Sequence, residues 1–190
     1  MMAQPAKPLR ADAARNRARV LETAYATFAA DGLSVPIDEI ARRAGVGAGT
    51  VYRHFPTKED LFRAVVDSRI RRIIDEGRGL LDDPGPGEAL FAFLRSMVLD
   101  WGATDQGLVD ALAGLGIDVD AVVAPDADDA FRGLLGELLV AAQRAGTVRP
   151  DVDVPEVKAL MVGCQAMQGY DKARAERVTG VVIDGLRPSR

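Results

Sequence analysis

Apolar residues return along almost every periodic segment of this chain at intervals of three and four, which is the signature of helices rather than strands. Val20, Leu21, Ala24, Tyr25 and Phe28 form the first stripe, with Asp12 placed to cap its start and Gly32 to end it. Ile37, Ile40, Ala41 and Ala44 form a second, shorter stripe stopped by Gly45. A third short helix is expected from Ala48 to Phe55, halted at Pro56. Thr57 and Asp60 resemble a capping box, and they open a long helix with Leu61, Phe62, Val65, Val66, Ile70, Ile73 and Ile74 on its apolar face. The run "DDPGPG" at 82–87 is the clearest breaker. Beyond it the spacing predicts helices near 88–102, 106–114, 127–145, 156–170 and 172–186, with Pro125 in a loop. Gly146 is placed to end one of these helices and Pro155 to start the next. No alternating strand runs with hairpin turns and no repeats occur, so the expected fold is all-α with about nine helices.

Composition narrows the possibilities. Hydrophobic residues make up 48% of the 190 and charged residues 27%, as in ordinary globular proteins. No apolar run approaches the roughly 18 residues of a membrane span, and "MMAQPAKPLR" lacks the apolar core of a secretory signal. A cytoplasmic location, with no membrane partner, is the expectation. The single cysteine, Cys164, excludes an intramolecular disulfide and a cysteine-based metal cluster, and is expected to be a buried small hydrophobe. With a single histidine, neither a metal site nor any cofactor is implied.

Charge is divided unevenly. The net charge is -4, yet residues 1–80 carry 14 Lys and Arg against 10 Asp and Glu, a surplus of +4, and the remainder carries 10 against 18. A basic N-terminal part on an acidic body suggests that one end meets a polyanion.

"AGVGAGTVYRHF", residues 44–55, carries the chemistry. Gly-rich turns that open helices often cradle phosphate, and the phosphate can belong to a nucleotide or to DNA. A dinucleotide loop requires G-x-G-x-x-G after a strand, whereas Gly45, Gly47 and Gly49 follow an amphipathic helix with a different spacing. No Gly-Lys-Ser/Thr follows, so a P-loop also fails. Two short helices joined by a tight Gly turn, the second basic and hydroxylated, describe a helix-turn-helix. Gly45 suits the left-handed conformation that ends the first helix, Gly47 can cap the second, and Gly49 permits close approach to DNA. Thr50, Tyr52, His54 and Lys58 offer donors to the DNA backbone, and Arg53 can reach a base edge or a phosphate. Phe55 is expected in the core, and the segment with Lys7 and Arg10 as a solvated arm, with minor-groove entry the alternative.

The segment "IDEIARRAGVGAGTVYRHFPTKEDLFRAVV" resembles the N-terminal domain of the TetR family of transcriptional regulators, and "RARVLETAYATFAADG" resembles the family's first helix. The resemblance implies a helix-turn-helix DNA-binding domain over residues 1–57 and a helical ligand-binding and dimerisation bundle over 58–190. It implies that Thr50, Tyr52, His54 and Lys58 meet phosphates, that Ala48, Gly49 and Arg53 face base edges, and that Arg17 touches the backbone. Two departures are visible: Pro36 stands where the family usually has Ser or Thr, and Gly47 replaces a frequent Ser. Few side chains are left to read bases, so shape readout is expected beside Arg53.

The implied function is a non-enzymatic regulator, a homodimeric repressor that a small molecule releases from a palindromic operator. A nucleotide-binding enzyme and a DNA-binding dimer without a ligand are the alternatives. The last two helices are the expected dimer interface, with Gly163, Ala166 and Gly169 as a small-residue stripe and Val178, Val181, Val182 and Leu186 supplying apolar area. Phe91, Met97, Trp101, Phe131, Met161, Gln165 and Gln168 are the candidate ligand residues, with plain core packing the alternative.

Overall fold

In a computed structural model of the chain, the structure describes residues 7–100 and 124–188. These residues form eight α-helices and one π-helical segment. The helices are α1 (Lys7–Asp31), α2 (Ile37–Arg43), α3 (Ala48–His54), α4 (Lys58–Gly79), α5 (Ala89–Arg95), α6 (Pro125–Arg144), α7 (Val154–Tyr170) and α8 (Lys172–Leu186). The π segment, Ser96–Asp100, continues α5. The all-α expectation holds, while the helix expected at 106–114 and Trp101 lie outside the described residues. No helix among the described residues is long and apolar enough to cross a membrane.

Helix ends follow local chemistry. Gly32, Gly45 and Gly146 all take positive φ, at 76°, 65° and 71°, each just past a helix end. At the end of α6, Gly146 N–H donates to Gln143 O and Thr147 N–H to Ala142 O, both at 3.0 Å, which is the Schellman pattern. The Thr57 box forms: Asp60 N–H donates to Thr57 Oγ1 at 3.1 Å, and Thr57 N–H to Asp60 Oδ2 at 3.2 Å. A second box, unanticipated, caps α7 through Asp153 and Glu156, with both bonds at 2.9 Å. Two boundaries differ from expectation. α1 begins at Lys7, so the basic arm is helical and Asp12 lies inside the helix, paired with Arg15. Pro125 opens α6 instead of sitting in the preceding loop, because its fixed φ and missing N–H suit a first helical position.

The described residues fall into two compact units, one ending at Ser68 and the other beginning at Arg69, so the division lies within α4. The first unit packs Val20, Leu21, Ala24 and Phe28 of α1 with Ile37, Ile40 and Ala41 of α2, Val51 of α3, and Leu61, Phe62 and Val65 of α4. Its Phe28 and Phe62 rings lie 5.8 Å apart. The second unit has a core of Ile73 and Ile74 from α4, Leu90, Phe91, Phe93 and Leu94 from α5, Leu134, Leu135, Leu138 and Leu139 from α6, Val157 and Met161 from α7, and Ile183 and Leu186 from α8. Arg187 closes this core from the outside, its guanidinium 4.3 Å from the Phe91 ring centroid.

Gly77 allows α4 to sit against α5 and α6. A Cβ placed there would lie 2.6 Å from Leu134 Cδ2 and 2.9 Å from Phe93 Cε2, and both side chains are fully buried. Gly133 on α6, by contrast, would place a Cβ in open space. Overpacking costs about 1–3 kcal/mol and outweighs the helix-propensity gain of roughly 1 kcal/mol from Gly to Ala. Gly77→Ala is therefore expected to lower the thermal midpoint and Gly133→Ala to raise it, as read by circular dichroism on the two variants. Equal shifts would show that Gly77 is not a packing glycine.

Candidate nucleic-acid interface

The turn between α2 and α3 is fixed by backbone hydrogen bonds. Gly45 N–H donates to Arg42 O at 3.2 Å and Val46 N–H to Ala41 O at 3.0 Å, with Ala44 N–H on Ile40 O at 2.9 Å. Gly45 is the left-handed residue this pattern needs. The chain then turns at Gly47, extended at φ -67° and ψ 138°, which caps α3 without a side-chain bond. Pro36 likewise caps α2 with no side-chain bond, in line with the missing hydroxyl there.

α3 has seven residues and turns Val51 inward, and Phe55, which follows it, is also buried. The opposite face is open: Gly49, Tyr52, Arg53 and His54 are exposed, and Ala48, Thr50 and Lys58 are partly so. Tyr52 is 45% exposed, which removes it from the core. Gly49 would place a Cβ in open space, so the fold gives no reason for a glycine at that position. Lys58, the first residue of α4, has its ammonium pKa lowered by partial burial. Arg17 reaches across from α1, its guanidinium 5.5 Å from the Phe55 ring centroid, and the Phe55 ring lies 6.1 Å from that of His54. Sequence reasoning missed this stack, because no local pattern links residues so far apart in the chain.

Two other bases of this unit are already committed. Arg42 donates to Glu39 through Nε and Nη2 at 2.7 and 2.8 Å, and Arg43 Nε donates to Glu39 at 2.8 Å while its Nη1 meets Asp31 at 2.5 Å. The Arg43 pair with Asp31 ties α2 to the end of α1.

The candidate ligand residues lie in the second unit. Phe91, Met97 and Met161 belong to its buried core, and Phe131 packs against that core with its ring 6.1 Å from Phe93. Gln165 Nε2 donates to Met97 O at 3.2 Å and Gln168 Nε2 to Val98 O at 2.8 Å, so two amides on one face of α7 hold consecutive carbonyls of the π segment. The Gln168 Oε1 atom is buried without a hydrogen-bond partner among the described residues. A separate cleft of about 640 Å³ is lined by Arg95, Leu99 and α8 residues including Glu176, Arg177, Val181 and Asp184, and by none of the candidates. Cys164 is buried, which raises its thiol pKa. No cluster of His, Cys, Asp or Glu among the described residues is placed to hold a metal.

Two short helices set by a glycine turn, with the second presenting a polar, basic face, define a DNA-binding helix-turn-helix protein. Residues 20–65 match the model for bacterial regulatory proteins of the tetR family, and residues 85–188 match that for the C-terminal domain of SbtR-like transcriptional regulators. A TetR transcription regulatory protein from Mycobacterium vanbaalenii is 62% identical, with 95% of this chain and 100% of that one covered and a TM-score of 0.80. The TetR transcriptional regulator SCO0520 from Streptomyces coelicolor is 34% identical over 92% of this chain and 99% of its own, with a TM-score of 0.75. An HTH-type transcriptional regulator of Staphylococcus aureus, SAB2452, is 36% identical over 76 residues, which span 40% of this chain and 41% of that protein. The chain belongs to the TetR family and is a DNA-binding transcriptional regulator.

Acid should loosen this unit in a defined way. Hydrogen bonds from Arg42, then Arg43, hold the Glu39 carboxyl down at about 2, against an ordinary 4.5. A depressed carboxylate contributes stability above its unfolded pKa and loses it as pH falls through the folded one. Denaturation followed between about pH 5 and pH 2 is expected to show a loss that Glu39→Gln removes. Superimposable acid profiles for the two proteins would overturn the assignment.

Proposed function

We propose that the chain is a homodimeric repressor that grips a palindromic operator through the open face of α3 and leaves it when a small molecule binds the second unit. The observation that carries this reading is the division of α3 and its flank into a buried side, Val51 and Phe55, and an open side, Gly49, Tyr52 and Arg53. In the proposed complex Arg53 reads a base edge. Ala48 and Gly49 let the helix approach closely, and Thr50, Tyr52, His54, Lys58 and Arg17 meet phosphates.

Dimerisation is supported by what α7 and α8 leave uncovered. Leu160, Val162, Tyr170 and Val181 are exposed, at 37%, 52%, 86% and 65%. Arg95, Glu176, Arg177 and Asp184 border the cleft beside α8 with no ion-pair partner among the described residues. A two-fold interface requires one patch to complement itself, and a patch with both signs and apolar area meets that demand. Small-molecule release is supported by Gln165 and Gln168 on the π segment, and by the unsatisfied Gln168 acceptor. A ligand held among Phe91, Met97, Phe131, Met161 and these amides shifts the population toward a dimer whose two α3 helices no longer match successive major grooves.

Selection of bound duplexes from a random pool tests the DNA reading, with two inverted half-sites expected. On the selected site, Arg53→Ala should cost about 1–3 kcal/mol and relax one base position. Gly49→Ala should weaken operator binding while the fold becomes no less stable, since its Cβ meets nothing within the chain. Wild-type operator affinity in both variants would remove α3 from the reading surface.

The dimer has its own test. Val181→Asp is expected to convert a dimer into a helical monomer in sedimentation velocity, with operator affinity falling in parallel. A dimer that survives this change would place the interface elsewhere.

A further inference from the structure

An amide interrupts the inward face of α7. Val157, Met161 and Cys164 are buried at intervals of four and three, and the next position of that stripe is Gln168. An apolar side chain there would continue the stripe. Gln168 instead donates from Nε2 to Val98 O at 2.8 Å, beside Gln165 Nε2 on Met97 O at 3.2 Å. Both carbonyls belong to the π segment Ser96–Asp100, whose wide turn is a form that helices adopt rarely and often at functional sites. The fold therefore has a use for the Gln168 nitrogen, which covers Val98 O.

It has none for the Gln168 oxygen. With Nε2 held on Val98 O, the other end of the amide is fixed in direction, and its Oε1 is buried with no hydrogen-bond partner among the described residues. A buried acceptor without a donor is costly, because its hydration is lost and no bond replaces it. Thr179, the buried hydroxyl described in this unit, already donates to Ala175 O at 2.8 Å. The core that α7 faces is apolar: Phe91, Met97 and Met161 lie in it, and Phe131 packs against it. Among the described residues no charged side chain is buried. An ionic guest would leave water without meeting a counter-charge, whereas a neutral one meets aromatic rings and thioethers.

We propose that Gln168 Oε1 is the acceptor that selects the small molecule of the second unit, and that this molecule is uncharged, largely apolar and carries a hydroxyl or N–H donor. The assignment rests on the reading of the second unit as ligand-binding, and gives that ligand a chemistry. Gln165 holds the π segment, and Gln168 both holds it and chooses the guest. The bond to Oε1 forms only when the guest is present, so its free energy favours the occupied state alone.

Two isomers of one formula separate the donor from size: phenethyl alcohol has an O–H and benzyl methyl ether has none. Each is titrated into the full chain, with binding read from the thermal midpoint and from the side-chain amide resonance of Gln168, which Gln168→Met identifies by its loss. Phenethyl alcohol is expected to raise the midpoint, to move that resonance and to bind at least about tenfold more tightly than the ether. Phenylacetate, the same ring bearing a carboxylate, should bind no better than the ether. Gln168→Met should bind the two isomers alike, while Gln165→Met keeps the preference for the alcohol. Equal affinities in the wild type overturn the donor requirement, and that comparison stands whatever either variant does to folding. A preference that survives in Gln168→Met, or is lost equally in Gln165→Met, overturns the role of Gln168. Phenylacetate bound as tightly as the alcohol overturns the uncharged class. Binding of neither isomer overturns the ligand reading of the second unit itself.

Discussion

A helix of seven residues has no independent stability in water, because nucleation costs more than so few hydrogen bonds return. α3 therefore exists only through what holds it. Val51 and Phe55 are drawn into a core built by α1, α2 and the start of α4, and the Gly45 turn fixes the angle at which α3 leaves α2. Once those two side chains are buried, helical geometry leaves Gly49, Tyr52 and Arg53 facing outward. The surface proposed to read DNA is thus the other side of a packing requirement, and it keeps its shape because the core beneath it is well packed.

Much of this was legible in the sequence where the determining chemistry is local. Gly32, Gly45 and Gly146 mark helix ends because the left-handed conformation is cheap only for glycine. Thr57 and Asp60 announce a helix start because each side chain bonds the other's backbone. The division of α3 into two faces followed from the period of the helix alone. What escaped depends on distance or on missing contrast. The start of α1 was set too late because residues 7–19 have no apolar stripe to betray a helix. The π segment is held by Gln165 and Gln168, about seventy residues further along, and no local pattern records that. Periodicity also shows that Phe91, Met97 and Met161 turn inward, without saying whether neighbours or a guest surround them.

The uneven charge has a second effect beyond attraction. The residues after position 80 carry 10 Lys and Arg against 18 Asp and Glu, so encounters that bring this acidic part of the chain to phosphates are disfavoured.

Gly77 has a mechanical consequence. The backbone of α4 lies so close to Phe93 and Leu134 that even one added carbon would collide, at 2.6 Å from Leu134. One turn toward the N-terminus α4 carries Ile73, whose branched side chain cannot occupy that space. Sliding of α4 along its axis would push larger residues into the gap, so α4 cannot work as a piston. At Gly77, packing fixes α4 along its axis.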